Sequence, residues 1–274
     1  MATERPDIKN YLAAECCIFR KTTEQFGGLS NMAAGFPLVI NETTFLTSEA
    51  LYQACRFPHL PEVQEKIIRE RSPMSAKMAG KPFRQNSRPD WDEVRGKIMR
   101  WCLRVKLAQN VIRFGQVLES TAGRAIVEDS SKDDFWGAIR ERNNPERLRG
   151  VNALGRLLME LRKFYSQNHF SYDLLVVPPL DIPQFHLYGE PIRTVDERAN
   201  FLADFGEILR LPGMAVQRKT GTMLYVEANP VAAVLREPSG AFDVQEIPTT
   251  VTKKKRATAK KGLNEAGSQQ IIAF

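Results

Sequence analysis

From Trp91 to Asn110 the chain reads WDEVRGKIMRWCLRVKLAQN, with apolar residues at Val94, Ile98, Trp101, Cys102 and Val105. Steps of three and four line one face of a helix, so a long amphipathic α-helix is expected here, with Trp101 in the core. Upstream, Ser48 reads as the cap of a helix that carries Glu49 in its first turn and runs through EALYQACRF to just before Pro58. Pro61 opens a helix over PEVQEKIIRERS, and Ser72 followed by Pro73 opens a short one over SPMSAKMAGKPF. VNALGRLLMELRKFYSQ has the same periodicity. Two strand signals precede these helices: CCIF, leading into a glycine-containing loop, and FPLVINETTFLTS, which reads as two short strands joined at Asn41-Glu42.

Together these elements make residues 1–168 one mostly helical α+β unit. The texture changes after His169. YDLLVVPPLDIPQFHLY is rich in proline and β-formers, VDERANFLADFGEILR is a helix signal, and GMAVQRKTGTMLYVEA reads as a hairpin turning at Lys219-Thr220-Gly221. A small α+β accessory module over 169–248 is the expectation, followed by a basic tail over 249–274 whose composition favours disorder. No internal repeat is visible.

Charge adds a possible partner. Lys and Arg number 39 against 32 Asp and Glu, a net +7, which favours polyanions. Much of the excess sits in TKKKRATAKK, which includes Lys253, Lys254, Lys255 and Arg256 and no acid. No apolar run reaches the roughly 18 to 20 residues of a membrane helix, and MATERPDIKN lacks a signal-peptide core, so no membrane and a cytoplasmic setting are expected. Cys16, Cys17, Cys55 and Cys102 form no CxxC pair, and His59, His169 and His186 are scattered. Neither a metal nor another cofactor is expected from these spacings.

Four polar and aromatic clusters stand where packing does not require them. FGGLSNM offers Ser30 and Asn31 beside paired glycines, or is only a turn. TSEALYQ places Glu49 near Tyr52, or is a helix start with a dipole-stabilising acid. SPMSAKMAGK holds Lys77, on what is otherwise a solvated face. VEDSSKDDFWG and GVNALG contain Asp134, Trp136, Gly137 and Asn152. In the DDFWG segment, either Asp133 caps a turn over which Trp136 folds back, or the turn walls a pocket for a flat ring and a developing positive charge.

Taken in order, these clusters closely resemble the NADAR (YbiA-like) family. The resemblance runs over roughly residues 15 to 165 and rests on F-x-x-L-S-N, S-E-x-x-Y-Q, A-K, a Trp before a helix containing Met99, V-E-x-S-x-x-D-x-x-W-G and G-x-N-x-L-G-x-x-L-M-x-x-R. It implies a compact, mostly helical α+β domain that cleaves N-glycosidic bonds. Such chemistry needs an oxocarbenium-like carbon stabilised, a proton for the leaving nitrogen, and an activated water or nucleophile. Glu49 is then the expected acid or base, and Asp134 the group that supports the cation or holds ribose hydroxyls. Lys77 is expected to pair with a diphosphate or, as a lesser alternative, to act as an amine nucleophile. Ser30, Asn31, Tyr52, Trp91, Trp136, Gly137 and Asn152 would bind substrate.

Two departures from the family pattern stand out: Arg56 where many members have lysine, and the charged AIRERNNPERLRG after Gly137. Arg140, Arg142, Arg147 and Arg149 are either a solvated loop or a basic rim for a nucleic-acid backbone. The resemblance thus points to removal of ADP-ribose from guanine bases of DNA, with ADP-ribose as product. The whole chain resembles the NADAR-type antitoxin of a DarT-type ADP-ribosyltransferase toxin, which would be its protein partner. The alternatives are an N-glycosidase acting on riboflavin-pathway intermediates and a non-catalytic sensor of ADP-ribose or NAD-derived ligands.

Overall fold

The computed structural model describes residues 7–168 and 171–202. In chain order it contains β1 (Lys9–Leu12), β2 (Cys16–Phe19), β3 (Leu38–Ile40), β4 (Thr43–Phe45), α1 (Ser48–Ala54), α2 (Pro61–Ile68) and α3 (Pro73–Ala79). These are followed by α4 (Trp91–Gln109), α5 (Val111–Glu119), β5 (Ala125–Glu128), β6 (Ile139–Glu141), β7 (Asn144–Gly150) and α6 (Ala153–Gln167). The α+β class is therefore as expected. α4 carries the core: Val94, Ile98, Trp101, Cys102 and Val105 are all buried along its length. Beside it β2 and β5 pair in parallel, from Cys16 opposite Ala125 to Phe19 opposite Glu128, and α6 packs against β5. Glu128 thereby becomes the last residue of a buried strand.

Local chemistry explains most boundaries. Asn41 and Glu42 both have positive φ, 46° and 66°, the pattern of a tight two-residue turn, and β3 and β4 pair around them. Pro61 and Pro73 occupy first turns, and the Ser72 hydroxyl accepts the Ser75 N–H. The cap of α1 differs from expectation: Thr47 accepts the Ala50 N–H, and Ser48 is already helical. With Thr47 as cap, the Ser48 hydroxyl is left to bond Asn31 instead. α4 stops at Gln109, because Asn110 departs from helical dihedrals (φ −136°, ψ 39°) and its side-chain amide donates to Pro37 O and Lys106 O; α5, which the sequence pattern does not mark, starts at once.

The charged AIRERNNPERLRG segment is no loop. It forms β6 and β7, and β7 pairs antiparallel with β1 in a sheet of order β1-β7-β6. Leu148 and Gly150 are buried while Arg147 and Arg149, which alternate with them, are exposed, so strand alternation accounts for the spacing.

The break expected at residue 168 is not a break in packing. Short strands β8 (Val176–Val177), β9 (His186–Leu187), β10 (Glu190–Pro191) and β11 (Val195–Asp196) follow α6 and lie on the same core. Leu175, Val177, Phe185 and Leu187 join its cluster, Phe185 meets the Trp101 ring edge-on at 4.9 Å, and the Trp101 indole donates to Pro178 O. Trp101 and its neighbours would otherwise lack an apolar cover. The helix expected from Val195 begins later, since Val195 and Asp196 pair with β8. The hairpin at Lys219-Thr220-Gly221, the remainder of the 169–248 module, and Lys253, Lys254, Lys255 and Arg256 lie outside the described residues.

Candidate active site

One cleft of about 690 Å³ gathers side chains from α1, α3, the start of α4, the end of β5 and the turn before β6. Glu49 stands on α1 and is 6% exposed. One turn on, Gln53 donates from Nε2 to Glu49 Oε1 at 2.9 Å, which fixes the carboxylate's rotamer. The loop after β2 is fastened to the same helix: the Glu49 N–H donates to Asn31 O, and the Ser48 hydroxyl donates to Asn31 O and lies 3.3 Å from Asn31 Oδ1. Asn31 Nδ2 rests 2.7 Å from Met99 Sδ of α4. Below, the buried Lys106 donates from Nζ to Gly28 O at 2.8 Å and Ser30 O at 3.1 Å, while the rings of Phe36 and Phe114 flank its charge. Gly27 lets the same loop fold back on itself, since a Cβ there would collide with the Thr22 carbonyl.

A second carboxyl enters from β5. Burial, first, and then the negative charges of Glu49 and Asp133 push Glu128 up to about 7, with Lys77 pulling the other way. Near neutral pH this carboxyl therefore holds a proton about half the time, beside a second acid. Its backbone is pinned: the Glu128 N–H donates to Asn152 Oδ1, Asn152 Nδ2 donates to Ile126 O, and Glu128 O accepts the Ala138 N–H.

Aromatic rings make the wall. Tyr52 lies between Trp91, at 5.1 Å and tilted, and Trp136, at 5.7 Å and edge-on; Phe135 abuts Trp136. Burial, foremost, and the Glu49 charge raise the Tyr52 phenol well above its ordinary value, so Tyr52 is a neutral hydrogen-bonding group. Cations crowd the remaining rim. Arg56 lies over the Trp91 ring at 4.8 Å and donates from Nε to Ser87 Oγ at 2.6 Å, and Arg95 lies over Phe135 at 3.9 Å. Arg20, Arg84 and Arg88 also border the cleft.

Ser30, Asn31, Glu49, Tyr52, Lys77, Trp91 and Trp136 are thus brought together as the sequence led one to expect. Others are not. Asp134 does not line the cleft; Asp133 does. The Asp133 carboxylate accepts the N–H groups of Phe135 and Trp136, and this turn leaves Asp134 half-buried, with its carbonyl accepting Val151 N–H. Asn152 is fully buried in the left-handed region, φ 52°, and both of its side-chain polar atoms are taken by β5, so it positions Glu128 and does not line the cleft. Gly137 is also structural: a Cβ there would lie 2.6 Å from Glu128 O.

None of Arg140, Arg142, Arg147 and Arg149 borders the cleft. Arg140 of β6 pairs with Asp129 at 2.7 Å, Arg142 lies in the turn after β6, and Arg147 and Arg149 lie on β7. The basic rim exists, but it is built from Arg20, Arg56, Arg84, Arg88 and Arg95. Glu128 is the acid of the V-E-x-S motif, and the signal that marks it is an acid at the end of an apolar strand. Among the described residues, no group of three or more His, Cys, Asp or Glu could hold a metal ion. Nor is any helix among them long and apolar enough to cross a membrane.

With this geometry in hand, comparison with known proteins places the fold among relatives. A family model described as the NADAR domain matches residues 18–164. The N-glycosidase YbiA of Escherichia coli (strain K12) is 34% identical over 145 residues, 53% of this chain and 85% of that protein. A riboflavin biosynthesis protein of Vibrio vulnificus (strain YJ016) is 30% identical over 190 residues, 67% of this chain and 48% of its own. The chloroplastic riboflavin biosynthesis protein PYRR of Zea mays is 33% identical over 170 residues, 57% of this chain and 26% of its own. The NMR structure of E. coli YbiA aligns with a TM-score of 0.48 at 31% identity, covering 58% of this chain and 89% of that one. Similarity to N-glycosidases supports a glycosidase-type enzyme.

Proposed function

The chain belongs to the NADAR domain family, and from that premise we propose that it is a hydrolase that cuts an N-glycosidic bond to remove ADP-ribose from guanine bases of DNA. The observation that carries the reading is the pair of carboxyls, Glu128 and Glu49, meeting in one cleft beneath aromatic rings and a cationic rim.

In this reading each group has one task. The bond between the ribose anomeric carbon and the guanine nitrogen breaks with its electron pair going to nitrogen, and protonated Glu128 supplies the proton. Positive charge on the anomeric carbon is stabilised by the Glu49 carboxylate, held in place by Gln53. Water then attacks that carbon and gives its proton to Glu49, and exchange with solvent returns both acids to their starting state. The aromatic wall accepts a flat base, and Lys77 with the arginines offsets phosphate charge. Asp133, not Asp134, is the acid of the DDFWG turn that borders this chemistry. If the lesion comes from a DarT-type ADP-ribosyltransferase, the protein is its antitoxin, and the toxin is its partner.

A second reading has its own support: relatives named for riboflavin biosynthesis share this domain, so a ribosylaminopyrimidine is the competing substrate. Incubation with guanine-ADP-ribosylated DNA and, in parallel, with a ribosylaminopyrimidine phosphate separates the two. Free ADP-ribose and unmodified DNA are the expected products. Turnover of the pyrimidine alone would move the assignment to the second reading, and ligand binding without turnover of either would leave a sensor.

A further inference from the structure

Beyond Trp91 the cleft runs into a cluster of guanidinium groups that takes no part in the proton transfers at the two carboxyls. The turn at residues 84–88, leaving a short 3-10 helix over Lys81–Asn86, is stitched to α1: the Arg88 N–H donates to Arg56 O, Arg56 Nε donates to Ser87 Oγ, and the Ser87 hydroxyl donates to Arg84 O. Arg56 is thereby held at one face by Trp91 and at its Nε by Ser87, and among the described residues its two terminal nitrogens make no hydrogen bond. Burial, first, and the nearby charge of Arg84 lower the Arg56 pKa; Arg56 is half-buried, and Arg84 faces it from the exposed edge of the cleft. Arg88 is 3% exposed and anchored through Nε and Nη2 to Asp90 and Pro183 O, so it holds the turn in place and adds its charge from behind Arg56 and Arg84. A preformed group of cations with unmet donors needs an anion with several acceptor oxygens.

We propose that Arg56, Arg84 and Arg88 form a pyrophosphate subsite that holds the linked phosphates of an ADP-ribosyl substrate. The order of side chains supports this: Trp136, Tyr52, Trp91 and Arg56 succeed one another in contact, with Glu49 beside Tyr52. A ribose reacting at the carboxyls would therefore extend its 5′ substituent past the rings to the guanidinium groups. The two-phosphate charge matches Arg56 and Arg84, whereas the single phosphate of a ribosylaminopyrimidine phosphate would meet them with less charge. The proposal rests on the glycosidase reading only for the direction of the substrate; anion binding at these arginines stands independently of it.

Calorimetric titration of the full chain with inorganic pyrophosphate, ADP-ribose and ribose tests it, together with R84E and R56A and a thermal melt to establish that each variant folds. Pyrophosphate is expected to bind the wild type and to be displaced by ADP-ribose, and R84E should weaken both ligands by at least about tenfold. R56A should act in the same direction, while ribose titrates alike in all three proteins. Folded variants that bind pyrophosphate and ADP-ribose as well as the wild type would overturn the proposal. So would pyrophosphate displaced by an unmodified DNA oligonucleotide and not by ADP-ribose, since the cluster would then serve the DNA backbone. Arginine-dependent ADP-ribose binding without base release would support the subsite while defeating the glycosidase assignment.

Discussion

Lys106 is the costliest single residue in the cleft's foundation. It is fully buried without a carboxylate, and burial lowers it to about 7 from an ordinary 10.5. Between those values the unfolded chain binds the proton and the folded chain does not, so stability rises as pH climbs above 7. The gain by pH 9, below the range where tyrosines titrate, is on the order of 2 kcal/mol. K106M should flatten that rise in urea-melting midpoints, and by freeing the carbonyls of Gly28 and Ser30 it should slacken the loop that presents Asn31. An unchanged pH dependence would mean that Lys106 does not titrate in this window. Glu128 has the opposite sign: its raised value means the folded state holds the proton more tightly, so its burial costs stability as pH rises from about 4.5 toward 7. A protein retains such a cost where the proton has a use.

At the scale of elements, the site depends on the meeting of β5, the DDFWG turn and the start of α6. Asn152 in its left-handed conformation clamps the strand end, and Gly137 lets the turn pass within contact of Glu128 O. G137A puts a methyl 2.6 Å from that carbonyl, and the strand end must move. Release rates should fall by about a hundredfold with ADP-ribose binding changed far less, because a carboxyl displaced by about 1 Å loses its proton-transfer geometry while the ring wall remains. Equal losses in rate and binding would point to collapse of the whole turn instead.

The elements also show what the sequence could disclose. α4 and α6 were legible because helical periodicity is written within a few residues. The β1-β7-β6 sheet was not, because Lys9–Leu12 pairs with a segment about 140 residues away, and an alternation of arginines resembles a solvated loop. Glu49, Tyr52 and Trp136 were legible through ordered motifs. Arg56 stood out only as a departure from the family's lysine, and Arg84 and Arg88 did not stand out, since an arginine in a polar turn carries no mark until the fold closes that turn against the end of α1.

For the molecule as a whole, charge and chemistry are separable. The cleft supplies its own cations, whereas the net +7 owes much to the six basic residues in TKKKRATAKK. Deleting residues 249–274 should therefore lower DNA affinity and flatten its dependence on salt, with ADP-ribose affinity unchanged. An unaltered salt slope would assign that segment to another contact. Truncation at residue 168 is a different matter, because Phe185 and Leu187 belong to the core that backs α4. The division of labour between the two carboxyls is tested most directly by the pH dependence of single-turnover ADP-ribose release from guanine-ADP-ribosylated DNA, measured in the wild type, E128Q and E49Q. The wild-type rate should fall above about pH 7 as Glu128 loses its proton, and both variants should be slower by at least about a hundredfold, with E128Q losing the break near pH 7. Wild-type rates and an unshifted break in folded E128Q would contradict the proton-donor role at the centre of the mechanism.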